Sequence, residues 1–383
     1  MNPGTQSLFS HACDVKDFTL SILNNKSSKS LELKTGETKS GEISFNGFIV
    51  LAYFTVNGTT DLQYYLDQSG DMRFVPFILD ASEGYYRREF QVVKNNKTQT
   101  TDKSSFTMQG QDLISYLFSK LYIAKTYKNK KLSDIFKDIY EIYIKPKLKY
   151  NPDSISLELS SNIVIENFVL TSRKSVLDFI FEECDRQGLI LFQDKQKIVM
   201  KPYKELKPNN LKLQSIQYDD FKKDPNNPYD ILSRKIINTN QALKLPKSQI
   251  IAFDKATKTM KVMKINLEDL DFDVPVESQD HDGFEYQAQE YLYDDNIFAD
   301  TYKSFLDYSK LELVVPGVVK APEIFTKYKV LFKSNENTNE TQEGDTKISG
   351  EYILTGFIDK IESSQFYITK LILSRFKDTD IQR

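Results

Sequence analysis

Apolar and polar residues alternate with a period of two over most of the first hundred positions. Segments 16–23, 30–36, 41–58, 73–81 and 85–93 are rich in Phe, Val, Ile and Tyr. They are separated by turn-forming clusters such as Asn24-Asn25, Asn57-Gly58 and Ser69-Gly70. Alternation is clearest at Leu31/Leu33 and Phe90/Val92. This pattern predicts a small antiparallel β domain, a barrel or a sandwich.

The period then lengthens. In 110–127, Leu113, Leu117 and Leu121, with Ile114 and Phe118, recur at spacings of four, which predicts an amphipathic helix. A second helix is predicted over 131–148 from Leu132, Ile135, Phe136, Ile139 and Ile142, ending at Pro146. A third starts at Ser175, with Asp178 three residues on in the manner of a capping box. Its face carries Val176, Phe179, Ile180 and Cys184, and Gly188 stands where a helix-ending glycine belongs. A hairpin follows, 188–193 and 197–203, turning at Asp194-Lys195.

Strand patterning returns over 211–253, broken by a polar spacer at Asp224–Asp230. From Glu268 to Asp300 the chain carries twelve acidic residues and neither Lys nor Arg, with Phe272, Phe284, Tyr286, Tyr291, Tyr293 and Phe298 among them. A helix is predicted around 299–310. Strands are predicted again at 311–319, 327–334, 352–364 and 366–376, the last two joined at Ser363-Ser364-Gln365. The polar stretch Ser334–Ser349 reads as a long loop.

The fold expectation is therefore α+β: two antiparallel β-barrel or sandwich domains plus an α-rich mixed module. The first β domain takes 1–108 and the module 109–208. The second β domain is discontinuous, 209–253 and 307–383, interrupted by an acidic insert, 254–306, that packs with the module. Two β units of similar size, one contiguous and one split, suggest duplication at domain scale.

Composition narrows the function. The 383 residues have a net charge of -3, which disfavours sequestering nucleic acid. Hydrophobic residues make up 40%, enough for real cores, and include 26 Phe and 22 Tyr but no Trp. Cys13 and Cys184 cannot form a disulfide framework, and Cys184 reads as a buried thiol. The first residues lack the basic and apolar regions of a signal peptide. No stretch reaches the roughly 18–20 apolar residues that span a bilayer. A soluble protein made in a reducing cytoplasm is expected.

Catalytic sets are wanting. The two histidines, His11 and His281, are the available bases for a nucleophilic triad, one near the N-terminus and one in the polar loop Asp280-His281-Asp282. Zinc needs clustered Cys and His, and calcium a twelve-residue loop that Asp269, Asp271 and Asp273 do not provide. Neither a P-loop nor a dinucleotide fingerprint is present. Residues 91–150 hold twelve Lys against five acids, interleaved with Tyr122, Tyr127, Tyr140 and Tyr143. Most of these tyrosines fall on apolar helix faces with lysines opposite, as on a solvated helix. The contrast between this basic region and the acidic insert favours a charge-complementary contact between subunits. Catalytic, cofactor-binding and metal-binding residues are all read as none.

Several strings resemble one family. Residues 103–139 are similar to its strand, G-x-D step and two helices. Residues 174–202 resemble its helix and "G-L-x-x-F-x-D" hairpin, 227–243 its Asn/Pro/Tyr string, and 350–376 its last hairpin. The family is that of the T4-type phage baseplate hub, related to the N-terminal part of VgrG in type VI secretion. The resemblance runs from about residue 16 to 378, while Met1–Asp14 and Ser334–Ser349 depart from it, as partner-specific extensions would. It implies a structural, non-enzymatic virion protein, assembled in the host cytoplasm. Three copies, each with two tube-like domains, would form a pseudo-sixfold ring between a sixfold tail tube and a threefold central spike. The module and insert would pack on the side facing the spike and outer baseplate. Partners would be other copies, the spike, the tube or its initiator, and surrounding wedge proteins. Phage DNA would transit the channel without specific binding. The alternatives are the hub of a related injection or secretion particle, a polysaccharide-binding or degrading tail protein, and a generic adaptor. The missing Trp counts against the carbohydrate reading.

Overall fold

The structure is a computed structural model. It describes residues 17–24, 30–34, 38–57, 72–79, 84–87, 89–99, 104–148, 152–194, 196–206, 213–217, 233–238, 249–254, 259–264, 309–316, 323–331, 350–362 and 366–378. The expected helix at 299–310 lies outside these residues, except that Ser309 and Lys310 begin a strand.

Eight strands open the chain: β1 (Asp17–Asn24), β2 (Ser30–Lys34), β3 (Thr38–Asn46), β4 (Ile49–Asn57), β5 (Met72–Leu79), β6 (Gly84–Arg87), β7 (Phe90–Gln99) and β8 (Ser104–Asp112). The mixed module follows. It comprises α1 (Leu113–Ser119), β9 (Lys125–Lys131), α2 (Leu132–Ile139), β10 (Ser156–Leu159), β11 (Val164–Leu170), α3 (Val176–Gln187), β12 (Leu189–Asp194) and β13 (Lys197–Pro202). The remaining strands are β14 (Leu213–Gln217), β15 (Ser233–Asn238), β16 (Gln249–Asp254), β17 (Thr259–Lys264), β18 (Ser309–Pro316), β19 (Lys327–Leu331), β20 (Gly350–Glu362) and β21 (Phe366–Asp378).

The two expected barrels or sandwiches are not formed, and the structure is a mixed α/β fold with several sheets. Among the described residues fourteen strands share one open sheet, eleven of them along the order β15-β18-β21-β20-β3-β4-β8-β7-β5-β1-β2, with β6, β14 and β19 pairing off this path. Closure needs the first and last strands to pair, and β15 and β2 do not pair among the described residues. The two β units instead meet edge to edge, where β20 runs antiparallel to β3 from Gly356↔Asn46 to Glu362↔Ser40. Alternation along each strand shows which side chains are buried. It carries no information about which strand lies alongside, and that pairing turned two expected closed units into one open sheet.

Within the sheet, two quartets repeat one arrangement. In chain order β3, β4, β7, β8 lie in space as β3-β4-β8-β7, and β15, β18, β20, β21 lie as β15-β18-β21-β20. Every pairing inside both quartets is antiparallel. One face is apolar and closed, with Ile43, Phe45, Val50, Phe54, Met108, Leu313, Phe357 and Leu371 buried.

The module folds around its own core. Asp112 caps α1, its Oδ1 accepting from the backbone N–H groups of Ile114 and Ser115 at 3.0 and 3.2 Å. The expected 110–127 helix thus stops at Ser119, and residues 125–131 extend as β9 against β11. Non-local pairing with Val164–Leu170 outweighs the helical spacing there. After α2 the helix widens into a π turn, 140–144, and then ends in a tight 3₁₀ turn at Pro146, where the sequence predicted the stop. Ser175 caps α3 by accepting from the Asp178 N–H, and Gly188 ends it at φ +64.

One aromatic from the sheet is built into the module core. Gly47 turns the β3–β4 hairpin at φ +63, and the next residue, Phe48, enters the module core against Phe118, Phe136 and Phe181. We expect Phe48→Ala to lower stability by about 3–5 kcal/mol in urea unfolding. Limited proteolysis should then release the module before the sheet is cut.

Candidate assembly surface

The face of the sheet opposite its apolar core is half exposed and mostly polar. It carries Ser44, Tyr53, Thr55, Thr107, Gln109 and Gln111 from the first quartet. The second quartet adds Lys310, Glu312, Lys360 and Lys370. Strand alternation places these side chains outward, and it places Leu51, Val314, Ile358 and Ile372 among them on the same face. Charges of both signs are interspersed: Lys370 Nζ lies 2.6 Å from Glu312 Oε2, and Lys360 stands opposite Glu42 across the junction. Gln109 Nε2 donates to the Tyr53 hydroxyl at 3.3 Å. The result is a broad, nearly neutral surface, mostly polar with aliphatic side chains interspersed.

The junction between the quartets is tightly built. Phe45 and Phe357 stack with centroids 4.3 Å apart. A Cβ on Gly356 would meet the Phe45 carbonyl oxygen at 2.7 Å, so the glycine is what allows β20 to approach β3 so closely. Beside it Thr369 Oγ1 donates to buried Asp359 Oδ1 at 2.7 Å, tying β21 to β20.

Two edges of the quartets remain open among the described residues. β15 pairs only with β18. β7 meets β5 only at Arg73↔Gln91 and Phe74↔Phe90, which leaves its outer edge from Val93 onward unpaired. Both edges display an exposed aliphatic side chain, Val93 at 43% and Ile236 at 44%. Unpaired strand edges of this kind are templates for another chain.

The module hairpin touches both halves of the sheet. Gln193 N–H donates to Gly47 O at 3.2 Å, and Phe192 packs edge-on against Phe325, centroids 4.8 Å apart. Next to Phe325, Tyr328 is fully buried, and its hydroxyl has no hydrogen-bond partner among the described residues. Burial pushes its ionisation well above the ordinary tyrosine value, reinforced by the negative charges of Glu323 and Asp194.

The residues that sequence reasoning weighed as chemical candidates fall as follows. Cys184 forms no disulfide among the described residues and is buried in the module core. Cys13, His11, Asp269, Asp271, Asp273 and the Asp280-His281-Asp282 loop lie outside the described residues. Tyr127 and Tyr140 are buried, Tyr143 is half-buried and Tyr122 exposed. They form no shared stacking platform, since Tyr127 sits on a strand and Tyr140 on the π turn. Among the described residues no group of three His, Cys, Asp or Glu could hold a metal ion. No described helix is long and apolar enough to cross a membrane. The open edges have no signature in the sequence, because the pairing that leaves them open among the described residues is tertiary.

We expect Tyr328→Phe to leave stability at neutral pH unchanged or raise it by up to about 1 kcal/mol, since it removes a buried hydroxyl without a partner. The folded-state ionisation is raised, so stability is intact below about pH 10 and falls as pH climbs above the unfolded value. Alkaline denaturation followed by circular dichroism should show a shallower loss above that pH in Tyr328→Phe than in the native protein.

No family model and no curated protein matches the chain. Its fold, however, is found in solved structures. The tail protein from Neisseria meningitidis MC58 aligns with TM-score 0.59 at 12% identity, over 94% of this chain and 96% of that one. A chain of the Francisella PdpA–VgrG complex aligns with TM-score 0.56 at 15% identity, over 100% of this chain and 61% of its own length. The 43 kDa tail protein of prophage MuSo2 from Shewanella oneidensis aligns with TM-score 0.54 at 9% identity, over 94% and 96%. At such identities the likeness is one of fold. This chain has the fold of phage tail proteins and of a VgrG complex chain.

Proposed function

We propose that the protein is a non-enzymatic structural hub subunit of a contractile phage tail baseplate. Three copies form a pseudo-sixfold ring that adapts a sixfold tail tube to a threefold central spike. The observation that carries this reading is the repeated quartet and the way its two copies join. The fourth strand in space of one quartet, β20, pairs with the first strand of the other, β3. The same two positions are open at the outer ends: β7 is the last strand of its quartet and β15 the first of the other. Pairing β7 of one copy with β15 of the next would repeat the β20–β3 junction between chains. A head-to-tail contact of this kind closes into a ring when its rotation divides a full turn. With two quartets per chain, three chains supply six.

The lengths are compatible. The internal junction uses Ser40–Asn46 against Gly356–Glu362, while β15 spans Ser233–Asn238 and the open part of β7 runs from Val93 to Gln99. In such a ring the neutral polar face would line the channel. Interspersed charges and uncharged Ser, Thr and Gln side chains bind a polyanion weakly, since affinity for nucleic acid rests on neutralising phosphates with many cations. Phage DNA could pass without being held. Spike, tube or tube initiator and wedge proteins are the other partners on this reading, and the location is the virion baseplate. The hub of a related injection or secretion particle is the second reading, favoured by the fold likeness to the VgrG complex chain.

Native mass spectrometry and electron microscopy of the full chain test the proposal. A trimer with a central channel is expected. Val93→Asp and Ile236→Asp alter side chains exposed in the single chain, so each variant should keep its circular dichroism spectrum yet run as a monomer. A native protein that stays monomeric at every concentration and with added tube and spike proteins overturns the ring.

A further inference from the structure

The two-stranded ribbon β9–β11 is the most unusual surface of the module. One side of it is anchored: Tyr127, Phe168 and Leu170 are buried in the module core. The other side is exposed, and among the described residues β9 and β11 pair only with each other. Four lysines lie on β9, Lys125, Lys128, Lys130 and Lys131, against the single acid Glu166 on β11. Two of the four are occupied. Lys130 Nζ lies 2.8 Å from Asp138 Oδ2, and Lys125 sits over the Tyr127 ring, 4.7 Å from its centroid. Lys128 and Lys131 are exposed and make no ion pair among the described residues. Beside them stand two uncovered aliphatic side chains. Val164, 54% exposed, lies opposite Lys131, and Val169, 50% exposed, lies opposite Thr126.

Free cations interleaved with exposed valines call for a partner that is acidic and apolar at strand spacing. Lysines alone would be an ordinary solvated edge, since charged residues, lysine above all, keep free edges from pairing at random. The valines change that, because desolvating them yields stabilisation that a solvated edge forgoes. This chain itself contains a matching segment. Residues 268–300 carry twelve acids and no Lys or Arg. Within them Asp269-Leu270-Asp271-Phe272-Asp273-Val274 alternates acid with apolar at every position. An extended peptide of that pattern presents carboxylates on one side and Leu, Phe and Val on the other.

We infer that the β9–β11 ribbon is the docking surface for the acidic stretch 268–300 of a neighbouring copy. Its carboxylates lie over Lys128 and Lys131, and its apolar residues lie against Val164 and Val169. The inference rests on the oligomer proposed above and names a second contact within it, away from the sheet edges. Opposite charge steers the encounter and sets which surfaces meet, while the apolar contact holds them.

Zero-length carbodiimide cross-linking of the full chain tests it, using an equal mixture of ¹⁵N-labelled and unlabelled protein whose native mass is measured in the same solution. Mixed-isotope cross-links from Lys128 or Lys131 to acids within 268–300 are expected. They should fall at least tenfold in the Val164→Asp/Val169→Asp variant, which keeps both lysines, and should weaken in high salt. A trimer whose cross-links from these lysines are absent, or always join residues of a single isotope, overturns the inference and leaves the hub reading standing. A mass that is always monomeric overturns both.

Discussion

The ladder between β20 and β3 is the constraint on which the rest of this molecule depends. Among the described residues it is the one place where the two β units meet as neighbouring strands, and it converts them into a single sheet. Gly356 makes it sterically possible, and the stacked Phe45 and Phe357 rings seal its apolar side. Because the pairing joins the last strand of one quartet to the first of the other, it uses up one complementary pair of edges and leaves an equivalent pair exposed. An assembly-competent surface is thus a by-product of how the chain satisfies its own backbone.

The module is held to that junction. Phe48 leaves the β3–β4 turn to become part of the module core, while β12 reaches both the turn at Gly47 and, through Phe192, Phe325 on the other half. A body fastened to both quartets beside their shared ladder moves with the sheet. In the proposed ring, the ribbon's exposed lysines and valines would then hold fixed positions relative to the neighbouring copy.

Much of the local structure was legible in the chain. Ser175, Asp178 and Gly188 mark the ends of α3 because a side-chain oxygen must satisfy free N–H groups at a helix start, and a left-handed residue must turn the chain at its end. Pro146 ends the second helical stretch for want of a backbone donor. Reading one helix across 110–127 went astray where Lys125–Lys131 pairs with β11. There, spacings of four among Leu113, Leu117 and Leu121 continue past the residues that are helical, and a strand partner some forty positions away takes over. Asp112, which ends β8 and caps α1, is the aspartate of the G-x-D step, and its carboxylate is the physical reason for the switch from strand to helix.

By itself the sequence determined most of the buried side chains, where most strands fall and where α3 begins and ends, and the separation of a basic module from an acidic stretch; Ile142, expected on an apolar helix face, is 53% exposed on the π turn. These follow from period, capping chemistry and charge, all of which act over a few residues. Tertiary structure alone decided that the β units merge instead of closing, that their two quartets share one strand order, and which edges stay free. Strand pairing joins residues hundreds of positions apart through backbone groups that every residue carries, so no side-chain pattern along the chain announces the partner.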